Sequence, residues 1–174
     1  SRYYTVSFYL GNGSSNSTYR KLQKKVEEGT YYTLPTVPSR SGYVNLGWST
    51  TVNGKTSTAK KAGTKIKISR NIKYYAVQMQ SVSVNLCKAN GSVWKTVTLG
   101  KDGYLKLPSA SNATGYTFMG WSKTRRTGSA TSPDYEAGEL VKISKTTTLY
   151  ATVFNRTMEK DISSANMSKP AIGM

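Results

Sequence analysis

The chain has no histidine, a single cysteine and only eight acidic residues among its 174. Without histidine it lacks the usual general base near neutral pH and the commonest transition-metal ligand. One cysteine, Cys87, excludes an internal disulfide framework and a structural thiolate zinc site. With no histidine beside it the thiol has no ordinary means of activation and reads as a passive small side chain. No apolar run approaches the roughly 18 residues of a membrane-spanning helix, so no membrane insertion is expected. Among the acids only Asp134 and Glu136 have the spacing of a carboxylate pair. Pro133 beside them predicts a solvated turn and not an acid/base dyad. The sequence therefore predicts no catalytic residue, no metal ligand and no cofactor, and reads as something other than an enzyme.

What is abundant is positive charge. Lysine and arginine number 25, for a net charge of +17. The excess is uneven: residues 1–80 hold 13 basic and 2 acidic side chains, residues 81–174 hold 12 and 6. Such a balance favours anionic partners and resists folding slightly by self-repulsion. Wall polymers, glycosaminoglycans, nucleic acid and acidic lipid headgroups all qualify. The absence of an RNP-like signature, a helix-turn-helix or a zinc module argues against nucleic acid.

Thirteen tyrosines, fifteen glycines and many Thr, Ser and Val residues in short segments favour strands over helices. These segments recur. Leu34-Pro35 returns as Leu107-Pro108, Gly42-Tyr43 as Gly115-Tyr116 and Gly47-Trp48-Ser49 as Gly120-Trp121-Ser122, each 73 residues on. Ala62-Gly63 returns as Ala137-Gly138 and Tyr75-Ala76 as Tyr150-Ala151, each 75 residues on, so the register slips once between Trp48 and Ala62. The repeat predicts two small modules, 1–80 and 81–154, followed by a tail or a connection to a neighbour over 155–174. Duplication of a compact unit more often builds a spacer or a multivalent binder than an active site. The chain opens on Ser1 without Met or a signal sequence and reads as a monomeric fragment of a longer protein.

Period-two alternation predicts a first strand at Tyr4–Leu10 and its copy at Val82–Cys87, with Cys87 on the face opposite the apolar one. Asn12-Gly13 and Asn90-Gly91 supply the turns that follow. Second strands are expected over Leu22–Val26 and Thr30–Leu34, with counterparts over Val93–Leu99 and Tyr104–Leu107. Pro35 and Pro108 stop the pairing. Crossing loops follow, with room for one helical turn. Third strands end on the tryptophans, where glycine permits a bulge or a close backbone approach. Polar excursions over 50–61 and 123–137 absorb the register slip. Last strands are expected at Ile66–Ile68, Ile72–Val77, Leu140–Ile143 and Thr148–Phe154.

The Gly-Tyr to Gly-Trp segments, with the preceding Leu-Pro, the downstream Tyr-Ala and the alternating first strand, resemble the Listeria–Bacteroides repeat, the internalin B-repeat type of module, over residues 4–77 and 82–154. The resemblance implies a mainly β (α+β) fold of two tandem β-grasp-like (ubiquitin-like) modules with little or no helix. It also implies a place on secreted or cell-surface bacterial proteins, often adhesins, and carries over no catalytic residues. Two details depart from the family's pattern. Tyr9-Leu10-Gly11-Asn12-Gly13 and Cys87-Lys88-Ala89-Asn90-Gly91 stand where an Asp-Ala-Asn-Gly-Gly is common. The closing Tyr-Ala-x-Trp lacks its tryptophan at Gln78 and Val153.

Trp48 and Trp121, each in the same glycine context, are expected to plug the two cores, together with Tyr43 and Tyr116. Trp94 has no tryptophan counterpart and is the expected exposed ring. The densest basic groups are Arg20, Lys21, Lys24 and Lys25; Lys60, Lys61, Lys65 and Lys67; and Lys123, Arg125 and Arg126. Together they form a candidate polyanion patch in which Arg125 and Arg126 fork onto phosphate or carboxylate. The function these features predict is adhesion, or binding of an anionic polysaccharide, a cell-wall polymer or a host surface glycan or protein. The competing readings are a spacer that projects another domain, and a carbohydrate-binding accessory module of an extracellular enzyme.

Overall fold

The computed structural model describes residues 1–126 and 132–156. The chain divides into two compact units, Ser1–Ser81 and a second that begins at Val82. The first contains β1 (Tyr3–Tyr9), α1 (Ser17–Arg20), β2 (Lys24–Glu27), β3 (Tyr31–Thr33), β4 (Tyr43–Ser49), a 3₁₀ turn (Thr56–Thr58), β5 (Lys65–Lys67) and the first part of β6 (Ile72–Cys87). The second takes over the remainder of β6 and adds β7 (Val93–Gly100), β8 (Gly103–Lys106), β9 (Tyr116–Ser122), β10 (Leu140–Ile143) and β11 (Thr147–Asn155). The protein is mainly β, and its one α-helix among the described residues is four residues long.

Both units are wired alike. In the first, β1 pairs antiparallel with β2 and parallel with β6, and β6 pairs antiparallel with β4. In the second, β6 pairs with β7 and runs parallel to β11, which pairs antiparallel with β9. A two-stranded antiparallel ribbon completes each unit, β3 with β5 and β8 with β10. The strand predicted to end at Val77 and the one predicted to begin at Val82 are one element. Tyr74 and Ala76 face the first core, Val84 and Leu86 the second, and no turn residue separates them.

Each unit has its own buried cluster around one indole. Val6, Phe8, Leu34, Val37, Ile68, Tyr74 and Ala76 surround Trp48; Val84, Leu86, Leu107, Ile143, Leu149, Ala151 and Val153 surround Trp121. Both indoles are fully buried, which contributes about 5 kcal/mol of transfer free energy apiece before entropic costs. The flanking rings differ. Phe8 and Tyr19 meet Trp48 edge-on at 4.8 and 6.0 Å. Phe118 meets Trp121 edge-on at 5.3 Å, and Trp94 stacks on it at 6.0 Å and 10°. Trp94 is therefore a half-buried lid on the second core and not the free ring expected of it.

The recurring dipeptides are the joints of this design. Each indole N–H donates to the carbonyl of the proline 13 residues earlier, Trp48 to Pro35 and Trp121 to Pro108, both at 2.8 Å. The leucine before each proline exchanges backbone bonds with the Ala-Gly turn segment: Gly63 and Gly138 donate to the carbonyls of Leu34 and Leu107. Each tryptophan also exchanges two backbone bonds with a later residue, Lys60 in one unit and Tyr135 in the other. Gly47 and Gly120 make that approach possible. Their φ values are +136° and +146°, and a Cβ on either would collide with the carbonyl oxygen of Lys60 or Tyr135. The strand bulges beside them, skipping Leu46 in β4 and Met119 in β9.

Four expectations need correction. Tyr43, assigned to the core, is the exposed first residue of β4, opposite Gln80, and carries the Arg40 guanidinium over its ring. Tyr116 is half-buried against the second core. The helical turn lies at Ser17–Arg20 and not in the crossing loops, because the Asn16 side chain caps it by accepting from the Tyr19 N–H at 3.1 Å. The presumed tail starts later than Asn155, which is buried within β11, and the Arg156 N–H donates to the Gly115 carbonyl. The rest of that predicted tail lies outside the described residues.

Candidate functional site

The eleven basic side chains of the predicted patch are distributed over several elements. Arg20 ends α1 and Lys21 caps it. Lys24 and Lys25 lie on β2, opposite Val6 and Thr5. Lys60 forms the backbone bridge to Trp48 and Lys61 follows it, and Lys65 and Lys67 lie on β5. All eight are exposed.

Of the remaining three, Lys123 and Arg126 are engaged within their own loop and Arg125 with the turn after β6. Arg126 donates to the Asp134 carboxylate at 3.0 Å and to the Ser132 carbonyl at 2.6 Å. The Lys123 backbone N–H donates to the other Asp134 oxygen at 2.7 Å, and its ammonium lies 5.8 Å from the Tyr135 ring centre. The Lys123 N–H and, after it, the Arg126 charge hold the Asp134 carboxyl below its ordinary value. This suits a fixed anion and not a general acid. The Arg125 Nε–H donates to the Ala89 carbonyl at 3.0 Å. In the first unit the same job falls to a backbone group, the Asn53 N–H on the Gly11 carbonyl at 2.7 Å. Arg125 and Arg126, expected to fork onto a ligand, are thus staples of the longer loop.

The outward faces of the two ribbons carry a feature that sequence reasoning passed over. Tyr31 on β3 stands opposite Lys67 on β5, and Tyr104 on β8 stands opposite Lys142 on β10. Directly opposed residues share a face. Tyr32, Ile66, Leu105 and Val141 point to the cores, so the Tyr–Lys pairs point to water. Tyr31 is 67% exposed and Tyr104 65%, the most exposed large hydrophobic side chains among the described residues. Recurrence of Tyr31 at Tyr104, 73 residues on, is the signal that would have revealed the pair.

Cys87 is buried beside Tyr150 on the sheet face away from the core, and burial pushes its thiol pKa up, as for an unreactive side chain. No acid and no lysine is buried among the described residues, so they do not build the buried Lys–Asn–acid arrangement of an intramolecular crosslink. No three acidic or cysteine side chains converge among them. No described helix is long and apolar enough to cross a membrane.

Fold and surface together define a tandem pair of small β modules, each closed around one tryptophan and each presenting the same aromatic–cationic ribbon. Residues 4–77 and 85–152 match the Listeria-Bacteroides repeat domain. The chain belongs to that family, whose repeats are typical of bacterial surface proteins. No curated protein matches it in sequence.

Proposed function

We propose that this chain is a non-catalytic binding segment of a secreted or surface-bound bacterial protein, holding anionic polysaccharide or wall polymer on the exposed ribbons of its two units. The observation that carries this reading is the repeated cross-strand pair, Tyr31 with Lys67 and Tyr104 with Lys142. A flat ring beside an ammonium offers an apolar platform for a sugar face and a charge for its acidic substituent. Lys65 adds a second charge to the first ribbon and Lys106 to the second. Such contacts are individually weak, and two copies in one chain multiply them wherever both reach the same polymer. The parallel central strands flanked by antiparallel partners support a β-grasp-like reading of each unit.

Titration of the intact chain with heparin, teichoic acid and a neutral glucan at two salt concentrations tests the proposal. Binding of the anionic polymers is expected to weaken steeply with salt, and the neutral glucan to remain unbound. Joint charge reversal at Lys67 and Lys142 should weaken heparin binding about tenfold or more, and joint Tyr31→Ala and Tyr104→Ala replacement should weaken it by a similar amount. Unchanged affinity in both double variants would overturn the ribbon assignment. A chain that binds none of the polymers is a spacer.

A further inference from the structure

We infer that the first unit also contains a cleft that takes one acidic sugar residue, its anionic group held by the Arg40 guanidinium. The inference shares with the reading above only the class of ligand, an acidic glycan.

Two adjoining cavities of about 450 and 270 Å³ have Leu10, Arg40 and Gln78 as common walls. Their combined size suits a small ligand. The Arg40 guanidinium carbon lies 3.7 Å from the centre of the Tyr43 ring. Stacking fixes the plane of the fork while leaving its N–H edges for a ligand. Arg40 has neither an ion pair nor a side-chain hydrogen bond among the described residues, where the ion pair is Arg126 with Asp134. Its charge does reach the buried Tyr19 phenol, which lines the second cavity: burial raises that pKa and Arg40 opposes the rise.

Two amides in the cleft are oriented by their other bonds. The Gln78 Nε2 donates to the Pro38 carbonyl at 3.0 Å and to Asn45 Oδ1 at 2.7 Å, so both of its hydrogens are spent and Oε1 remains as a fixed acceptor. Asn12 Oδ1 accepts from the Ser14 N–H at 3.0 Å and its hydroxyl at 2.6 Å, leaving the Nδ2 hydrogens as fixed donors. A guanidinium that shares a cleft with an oriented acceptor and an oriented donor complements an anionic group flanked by hydroxyls, each of which donates and accepts. That is the pattern of a uronate or a sulfated hexose. A plain carboxylate side chain of a peptide would leave the Gln78 acceptor unused.

The second unit lacks this chemistry. Its residue equivalent to Arg40 is Ala113, whose carbonyl accepts from Tyr116 as that of Arg40 does from Tyr43. Its equivalent of Gln78 is the buried Val153, paired with β9 as Gln78 is with β4. The cleft is thus a property of one copy only, distinct from the duplicated ribbons.

The test follows the backbone and side-chain N–H signals of the intact, ¹⁵N-labelled chain during titration with a heparin-derived tetrasaccharide, a galacturonate tetramer, maltotetraose and a tetra-aspartate peptide. The two acidic sugars distinguish sulfate from carboxylate. Binding of either should shift the Arg40 Nε–H and the amide groups of Asn12, Asn53 and Gln78. Arg40→Ala should weaken that binding at least tenfold and Arg40→Lys nearly as much, because the fork matters as well as the charge. Shifts confined to Lys65, Lys67 and their neighbours, an Arg40→Ala variant that binds like the parent chain, or aspartate peptide binding as tight as sugar binding would each overturn the cleft. Long heparin that still binds an Arg40→Ala chain while the tetrasaccharide is lost supports both sites. Long heparin binding that is lost in Arg40→Ala and unchanged by joint charge reversal at Lys67 and Lys142 upholds the cleft and removes the ribbons.

Discussion

The Trp48 indole N–H donates to the Pro35 carbonyl at 2.8 Å, tying the end of one strand to the residue that terminates another. Phenylalanine in its place keeps an aromatic ring and strands the carbonyl. Trp48→Phe, and Trp121→Phe at the matching bond to Pro108, should each cost about 1–3 kcal/mol beyond the lost packing. Urea denaturation checks this, and a loss below the scatter of replicate curves would demote the bond.

Gly47→Ala and Gly120→Ala should be worse than an ordinary glycine replacement. Each adds a Cβ at positive φ against a backbone carbonyl that cannot retreat without breaking its bridge to the tryptophan. About 3 kcal/mol or more is expected from strain and the broken bridge together. Hydrogen exchange should show lost protection at the Lys60 amide in the first variant and at the Tyr135 amide in the second.

Much of this was legible in advance because three of the five recurring segments are contact points themselves: Leu-Pro, Gly-Trp and Ala-Gly meet in space through backbone and indole bonds. Strand alternation likewise marked Val6 and Phe8, or Val84 and Leu86, as inward. The fate of the charges was not legible. Arg125 and Arg126 look free in sequence, and only the loop's path brings Ala89, Ser132 and Asp134 to them. Tyr43 misled for a related reason. It shares a dipeptide with a conformationally special glycine, but its position opposite Gln80 decides its exposure.

Acid should loosen the second unit's long loop before it unfolds the cores. The folded Asp134 carboxyl has a pKa below its ordinary 3.8, so its contribution is complete above that pH and is lost as pH falls through the folded value. The Lys123 amide resonance should move over that window in the parent chain and stay flat in Asp134→Asn. A titrating amide in the Asn variant would assign the transition elsewhere.

Alkali should strike the first unit first. Burial raises the pKa of Tyr19, Tyr32 and Tyr74 above the ordinary 10.0, and all three belong to that unit. Their neutral forms stabilise the fold fully below about pH 10, and this support disappears as pH rises through the folded values. Ultraviolet titration of tyrosinate should show a late fraction that appears together with loss of protection in β1 and β6. Simultaneous ionisation of all tyrosines near pH 10 would contradict it.

The double backbone bridge between Trp48 and Lys60 shuts the base of the intervening segment like a clasp. Its counterpart from Trp121 to Tyr135 spans two more residues with the base unchanged. Length beyond the clasp is therefore insulated from the interior, and the exposed Thr56–Thr58 turn offers a splice point where a foreign epitope can be displayed without disturbing the indole beneath.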